Sequence, residues 1–278
     1  MKILVTGAKG MLGTNLCAEL KKKHSVTGID IGDIDLTKPQ SVESLVKYCP
    51  VVPDLIIHAA AYTNVDGCER DPDTAYAVNG LGTRHVALSC QRLDIPLLYI
   101  STDFVFDGAK SEPYYEWDAV NPLNHYGRSK LAGEACVRDL LTKFFIVRTS
   151  WLFGKHGKNF VSTILKNTGE AGEIKVVDDQ TGSPTYAPDL CNAIARLIDT
   201  QYYGLYHITN SGSCTWHAFA SEAVRIKGIK ASVLPISSDE YSTPTKRPKY
   251  SVLKNFCWER TFSPILRSWR DALKEYLA

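Results

Sequence analysis

Short apolar runs rich in β-branched residues alternate with longer amphipathic stretches through the first 150 residues. The apolar runs predict strands over residues 3–6, 25–30, 55–58, 97–101 and 144–148. The stretches between them predict helices over residues 11–23, 41–48, 71–92 and 129–143, the first with Leu12, Leu16 and Leu20 at helical spacing. Because the strand runs do not alternate apolar with polar residues, we expect a parallel sheet that is buried on both faces.

This alternation of apolar runs and amphipathic stretches becomes less regular after residue 150. The pattern there predicts helices over residues 160–167, 216–227 and 268–277, and strands over 174–177, 205–208 and 231–235. Loops such as 237–250 separate them. We therefore expect an α/β fold of the Rossmann type, a doubly wound parallel sheet formed mainly by residues 1–150. Residues 151–278 would form mostly a smaller C-terminal α+β lobe, with strands from about 174–210 returning to the sheet.

Composition excludes several classes of protein. The 278 residues carry a formal net charge of +2, which gives no charge excess for binding nucleic acid or a membrane surface. The two closest of the eight cysteines, Cys49 and Cys68, are 19 residues apart, which excludes the short spacings of zinc ribbons. No secretory h-region and no apolar run of membrane-spanning length is visible, so we expect a cytoplasmic protein with reduced cysteines.

A glycine-rich turn joins the first predicted strand to the first predicted helix. Gly7, Gly10 and Gly13 form a G-x-x-G-x-x-G pattern. Glycines allow a tight turn and a close approach of the backbone to a pyrophosphate, while the helix N-terminus offers free N–H groups and a positive dipole end. The position of the pattern between a strand and a helix therefore predicts a dinucleotide site.

Two charged residues beside this turn bear on the choice of dinucleotide. Asp30 ends the second predicted strand, where a carboxylate accepts hydrogen bonds from the adenosine ribose and repels a 2′-phosphate. Lys9 precedes the second glycine and could meet that phosphate. We therefore expect NADH or NADPH as cofactor, with NADH slightly preferred.

Tyr126 and Lys130 form a second candidate site. Four residues apart on a helix, they would lie on one face. An ammonium group stabilises a phenolate, so we expect Lys130 to lower the pKa of Tyr126 toward the range of a proton shuttle. Thr102 directly follows the fourth predicted strand, at the sheet edge where such folds bind ligands, and its hydroxyl could bond a substrate carbonyl.

The glycine turn, Thr102 and the Tyr126–Lys130 pair occur in the order typical of extended short-chain dehydrogenases/reductases. Within that superfamily the chain resembles the dTDP-4-dehydrorhamnose reductase family over almost its whole length. The resemblance is carried by residues 59–66, 101–108, 121–134, 148–151, 159–160, 179–185 and 247–248. The Asp-Gln-x-Gly-x-Pro-Thr stretch at 179–185 and the Thr-Ser-Trp at 149–151 are its more specific parts.

The resemblance implies a catalytic set of Thr102, Tyr126 and Lys130. It implies a cofactor site, to which the residue chemistry adds Lys9, made of Gly7, Lys9, Gly10, Met11, Leu12, Gly13, Asp30, Ile31, Asp35, Leu36, Ala59, Ala60, Ala61, Tyr62, Thr63, Ser101, Tyr126 and Lys130. It implies substrate contacts from Val65, Thr102, Asp103, Phe104, Tyr126 and Trp151, and charge adds Arg247 as a candidate partner of a diphosphate.

The implied activity is NAD(P)H-dependent reduction of the C4 ketone of dTDP-4-dehydro-L-rhamnose in dTDP-rhamnose biosynthesis. Residues 1–150 would then bind the cofactor, and the later lobe the nucleotide sugar. Phe104 stands where related 4,6-dehydratases carry a Glu, which argues against a dehydratase. Two alternatives stay open: a reductase or epimerase of another nucleotide 4-keto sugar, and a non-catalytic NADP-binding regulatory subunit like that of methionine adenosyltransferase.

We expect no metal site, because no local cluster of ligand residues is visible. The residues likewise indicate no nucleic acid or membrane partner, and leave open whether the chain forms a homodimer.

Overall fold

The computed structural model of the chain describes residues 1–49, 51–241, 243–263 and 265–278. The strands are, in chain order, β1 Lys2–Thr6, β2 Ser25–Ile29, β3 Leu55–His58, β4 Leu97–Thr102, β5 Phe144–Thr149, β6 Leu152–Phe153, β7 Glu173–Val177, β8 Thr181–Gly182, β9 Thr185–Tyr186, β10 Gly204–His207, β11 Cys214–Thr215 and β12 Ser232–Ile236. The helices are α1 Met11–Leu20, α2 Ser41–Ser44, α3 Val65–Arg70, α4 Pro72–Tyr76, α5 Thr83–Leu93, α6 His125–Leu140, α7 Phe160–Ala171, α8 Ala187–Ile198, α9 Trp216–Ile226, α10 Phe256–Thr261 and α11 Trp269–Leu277.

A central parallel sheet in the order β10-β5-β4-β3-β1-β2 forms the framework of the chain. Its strands are apolar on both faces because helices cover both faces. Helices α1 and α8 pack one face through residues such as Leu16 and Ile194. Helices α5 and α6 pack the other through residues such as Val86 and Val137. The predicted Rossmann-type α/β fold is confirmed.

The strands of the C-terminal half build smaller sheets beside the central one. β7 pairs in parallel with β12, β6 in parallel with β9, and β8 antiparallel with β11. Helices α9 and α11 close an aromatic core around Phe153, Phe219 and Trp269. Residues 151–278 also return α8 and β10 to the central sheet.

The strands of the central sheet agree closely with their predictions, while several other elements do not. β10 returns to the central sheet as predicted, but β7 pairs with β12 instead, and the prediction was wrong there. α3, α8 and α10 are helices that the pattern did not predict. Helix α6 begins at His125, earlier than predicted, because Asn124 caps it by accepting a hydrogen bond from the N–H of Gly127.

The single helix predicted over residues 71–92 contains a π-helical turn, Ala77–Gly82, between α4 and α5. The turn directs Asn79 inward, where its amide accepts a hydrogen bond from the N–H of Tyr62 at 2.8 Å and donates to the Tyr62 carbonyl at 3.1 Å. Its amide also donates to Ser129 on α6 at 3.0 Å. The irregular turn therefore fixes the segment that follows β3, as π-bulges often do near functional sites.

All eight cysteines are free thiols. In the described part of the chain, no helix combines the length and the apolar character needed to cross a bilayer.

Candidate active site

A cleft of about 1110 Å³ runs along the carboxyl edge of the central sheet and continues under the C-terminal lobe. Ligands of open parallel sheets bind at this edge, outside the carboxyl ends of the strands. The cleft brings together nearly every residue that the sequence analysis singled out: Gly7, Gly10, Met11, Leu12, Gly13, Asp30, Ile31, Asp35, Leu36, Ala59, Ala60, Ala61, Tyr62, Thr63, Val65, Ser101, Thr102, Asp103, Phe104, Tyr126, Lys130, Trp151 and Arg247. Lys9 is not among the lining residues.

The glycine turn after β1 has the geometry that a phosphate needs. Gly7 has a positive φ of 70°, and a Cβ atom there would lie 2.6 Å from the backbone N of Ala60. Gly10 precedes α1 as its N-cap and supplies no capping side chain, so no side chain bonds the free N–H groups of the first turn, and Gly10, Met11 and Leu12 line the cleft. This arrangement suits a pyrophosphate.

Asp30, just beyond β2, is held in place by backbone N–H groups. Its carboxylate accepts hydrogen bonds from the N–H of Lys9 at 2.8 Å and from the N–H of Ile31 at 2.8 Å. The Lys9 side chain is largely exposed, with its Nζ 4.0 Å from an Asp33 oxygen. Lys9 therefore contributes its backbone to the orientation of Asp30, while its side chain is exposed and is not part of the cleft lining.

Thr102 and Asp103 lie together at the end of β4. The Thr102 hydroxyl donates to an Asp103 oxygen at 3.1 Å and accepts from the N–H of Phe104 at 3.2 Å. The second Asp103 oxygen accepts from the Ser251 hydroxyl at 2.6 Å. Burial raises the pKa of Asp103 to about 7, against the lowering effect of the Ser251 and Thr102 hydrogen bonds.

Tyr126 and Lys130 lie on α6 and line the cleft beside Thr102. Burial raises the pKa of the Tyr126 phenol above its ordinary value, and the nearby Thr102 hydroxyl opposes this. Burial also lowers the pKa of Lys130 to about 7, against the raising effect of Glu134. The expectation that Lys130 lowers the pKa of Tyr126 is wrong for this structure. Burial disfavours the phenolate, and a lysine that is itself driven toward neutrality offers it little positive charge.

A buried ion pair joins α6 to β5 behind the catalytic candidates. Arg148 donates two hydrogen bonds to Glu134, at 2.8 Å through Nε and at 2.7 Å through a terminal nitrogen. Ser101 donates to the same Glu134 carboxylate at 2.6 Å. Both charged side chains are about 1% exposed. The pair therefore links the helix that carries Tyr126 and Lys130 to the strands that carry Thr102 and Thr149.

Trp151, two residues after β5, forms part of the cleft wall and stacks on Trp216, the first residue of α9. Its ring is parallel to that of Trp216, with 3.4 Å between centroids and 6° between planes. The resemblance implies that Trp151 contacts the substrate. One face of its ring is already covered by Trp216, which also lines the cleft.

Arg247 reaches the cleft from the loop before α10, and it is already paired. Its terminal nitrogens donate to Asp66 of α3 at 3.0 Å and to Thr243 at 2.8 Å. Both partners of the ion pair are partly exposed. Arg247 thus bridges the two halves of the chain at the edge of the cleft.

Sequence reasoning missed the residues that the C-terminal lobe and the sheet floor add to the cleft. Among them are His58, Lys158, Phe160, Thr163, Asn167, Lys175, Trp216 and Tyr241. It also missed Ser251, because a contact between residues 148 positions apart leaves no local signal. The sequence alone did place His58 at the end of the third predicted strand. The structure holds its ring between the Thr6 and Thr83 hydroxyls, and burial lowers its pKa to about 3.

The described residues contain no group of three or more His, Cys, Asp or Glu side chains that could hold a metal ion.

Comparisons with known proteins agree over the full length of the chain. A family model described as "RmlD substrate binding domain" matches residues 1–278. The spore coat polysaccharide biosynthesis protein SpsK of Bacillus subtilis is 40% identical and covers 99% of this chain and 96% of its own length. A dTDP-4-dehydrorhamnose reductase of Streptomyces griseus is 40% identical, with coverage of 98% and 91%.

A solved structure shows the same architecture. It is the dTDP-4-dehydrorhamnose reductase of Bacillus anthracis in complex with NADP, 42% identical, with a TM-score of 0.94 and coverage of 99% of this chain and 98% of the other. Since both the family model and these relatives span essentially the whole chain, this protein belongs to the RmlD substrate-binding-domain family.

Proposed function

We propose that this chain is an NAD(P)H-dependent reductase that converts the C4 ketone of dTDP-4-dehydro-L-rhamnose to the alcohol of dTDP-L-rhamnose. The observation that carries this proposal is the convergence of Thr102, Tyr126 and Lys130 in one cleft. That cleft has a phosphate-binding turn at one end and a lobe with aromatic and cationic side chains at the other. The names of full-length relatives support this choice of substrate.

The residues present fit a nicotinamide dinucleotide. The close approach of Gly7 to Ala60 leaves the turn free of side chains, and the uncapped start of α1 offers N–H groups to a pyrophosphate. Asp30 would bond the adenosine ribose, with Asp35 and Leu36 beside the adenine. Residues 59–63 and Ser101 would border the nicotinamide half. When bound, the reduced nicotinamide supplies the hydride for C4.

Thr102, Tyr126 and Lys130 would act on the oxygen of the ketone. Thr102 would orient the carbonyl through its hydroxyl. Tyr126 would donate its proton to the alkoxide that develops at C4. The raised pKa of Tyr126 keeps the phenol protonated at neutral pH, which suits a proton donor. Lys130 would bond the nicotinamide ribose.

The remaining cleft residues would hold the nucleotide sugar. Val65, Asp103, Phe104 and Trp151 surround the catalytic set and would contact the hexose. Phe104 packs edge-on against Tyr126 with ring centroids 5.7 Å apart, so it also restricts the catalytic ring. Arg247 would meet the diphosphate, because a guanidinium matches phosphate oxygens in charge and geometry.

Cofactor oxidation tests the proposal. Purified protein is mixed with NADH or NADPH and dTDP-4-dehydro-L-rhamnose, or with a panel of other nucleotide 4-keto sugars, and the loss of reduced nicotinamide is followed. We expect the rhamnose precursor to be the best substrate. Turnover of another keto sugar but not of dTDP-4-dehydro-L-rhamnose would show that the proposed substrate is wrong. No turnover of any keto sugar would contradict the enzyme function.

Tyr126→Phe tests the proton donor. Loss of the hydroxyl should lower kcat by about 100-fold or more, because general acid catalysis contributes on that order. Binding of NADPH, measured by calorimetry, should persist. Tyr202→Phe is the matched control, since Tyr202 is exposed and outside the cleft. A Tyr126→Phe enzyme with near wild-type kcat would refute the assignment.

A further inference from the structure

Trp151 has an unusual backbone conformation for a large residue. Its φ is +47°, in the left-handed region that bulky side chains rarely adopt. Strained residues of this kind persist only where the surrounding structure holds them, and they cluster at functional sites. The contacts that hold Trp151 are therefore candidates for a functional role.

Two elements of the C-terminal half hold the Trp151 ring. Trp216, the first residue of α9, stacks on it in parallel at 3.4 Å. Gly182 lies directly against the Nε1, Cε2 and Cζ2 atoms, so close that a Cβ atom at Gly182 would be 2.6 Å from Nε1. A side chain at position 182 would therefore displace the indole.

Trp216 is in turn held in place. The Phe160 ring packs on it with centroids 4.4 Å apart. Thr215 caps α9 by accepting a hydrogen bond from the N–H of Ala218 at 3.1 Å, which fixes where the helix, and so Trp216, begins. The stack thus connects the end of β5, beside the catalytic candidates, to α7 and α9 of the lobe.

We propose that Trp216 is a positioning residue that fixes the Trp151 indole for contact with the sugar of the nucleotide sugar. This inference deepens the proposed function and rests on it for the identity of the ligand. Since Trp216 occupies one face of Trp151, the sugar meets the remaining surface and edge of the indole. Trp216 acts by fixing the orientation of the Trp151 ring, so it affects sugar binding more than cofactor binding.

Circular dichroism tests the stack independently of activity. Stacked indoles whose in-plane transition moments are rotated against each other couple these transitions and give a paired positive and negative band. We expect this band in the wild-type protein and its loss in Trp216→Ala, in Trp151→Ala and in Gly182→Ala. Trp117→Ala is the matched control, because Trp117 is exposed and outside the cleft, and it should retain the band. A band that survives Trp216→Ala would overturn the proposal, and so would a near-ultraviolet dichroism spectrum of the aromatic side chains that Trp216→Ala leaves unchanged.

Steady-state kinetics test the consequence. In Trp216→Ala the KM for the keto sugar should rise about tenfold, while kcat and the KM for NADPH stay within about threefold. Trp216→Phe should restore most of the affinity for the keto sugar, because it keeps a stacking ring. This variant also controls for a folding defect in Trp216→Ala. An unchanged KM for the sugar would overturn the inference. If the wild-type protein turned over no keto sugar, the proposed function would fail, whereas the dichroism would still decide whether Trp216 holds Trp151.

Discussion

At the scale of single residues, burial decides the chemistry of the candidate site more than neighbouring charge does. Asp103 is tied to Thr102 and Ser251 by hydrogen bonds, yet burial raises its pKa to about 7. Burial likewise lowers the pKa of Lys130 to about 7. Two of the groups nearest to Thr102 and Tyr126 therefore change charge near neutral pH.

The identity of the catalytic candidates was predictable from sequence, but their ionisation was not. Thr102, Tyr126 and Lys130 stand in recognisable motifs with fixed local spacing. The direction of a pKa shift depends on how completely a group is removed from water, and that is set by residues far away in the chain. Ser251 is an example, because only the fold brings it to Asp103.

Asp103→Asn should change stability in a pH-dependent way. The pKa of Asp103 is about 7 in the folded protein and near 4 when unfolded, so the folded state holds its proton more tightly. The stability from that proton is present below about pH 4 and is lost as the pH rises through 7. The asparagine variant should therefore gain in Tm relative to wild type between pH 5 and pH 8.5.

Thermal unfolding at both pH values checks this prediction. The exposed Asp239→Asn is the control, and its Tm difference from wild type should not change with pH. A Tm difference for Asp103→Asn that is equal at pH 5 and pH 8.5 would show that Asp103 is charged throughout.

At the scale of elements, the relative placement of α6, β4 and β5 decides whether the catalytic candidates meet. Glu134 on α6 accepts hydrogen bonds from Ser101 on β4 and from Arg148 on β5. Thr102 follows Ser101 directly, and Lys130 is one helical turn before Glu134. A single buried carboxylate thus sets the distance between the helix and the sheet edge.

Arg148→Met should destabilise the protein strongly. Removal of one partner leaves the Glu134 charge buried without compensation, which costs about 3–5 kcal/mol. The double variant Glu134→Leu, Arg148→Met should recover much of this loss, because it leaves no buried charge. Denaturant unfolding at neutral pH measures the free energy of unfolding of the single and the double variant.

The exposed pair of Arg92 and Glu43 provides the control for this prediction. Arg92→Met should leave the unfolding midpoint almost unchanged, since exposed ion pairs contribute little. If Arg148→Met unfolded no more easily than Arg92→Met, the buried pair would not hold α6 to the sheet.

The sequence predicted elements well where local pattern was sufficient. The strands of the central sheet are apolar runs bounded by polar residues, and their bounds were close to the observed ones. Which strand pairs with which is a different question, because β7 and β10 are similar short runs that join different sheets. The π-turn at Ala77–Gly82 was not predictable from periodicity, since it is stabilised by the tertiary contacts of Asn79.

At the scale of the whole molecule, the cleft lies where the two halves of the chain meet. The first half provides the sheet edge, and the second half returns α8 and β10 to that sheet before it completes the lobe. The lobe side of the cleft was not predictable from sequence, because its residues come from separate loops and helices without a shared motif. The ion pair of Arg247 and Asp66 joins residues 181 positions apart across this junction.

Variants of this ion pair distinguish a structural link from a diphosphate site. If Arg247 binds the diphosphate, Asp66 competes with the ligand for the guanidinium. Asp66→Asn should then lower the Kd for dTDP by about threefold, and Arg247→Gln should raise it by about tenfold, because a charged contact with phosphate is lost. Calorimetric titration with dTDP measures the Kd of both variants.

The exposed neighbour Lys246→Gln is the control and should change the Kd little. If Arg247 served only to link the halves, both variants would weaken binding to a similar degree, since either substitution breaks the same contact. Opposite changes in the Kd of these two variants are expected only if the ion pair of Asp66 and Arg247 must separate before the nucleotide binds.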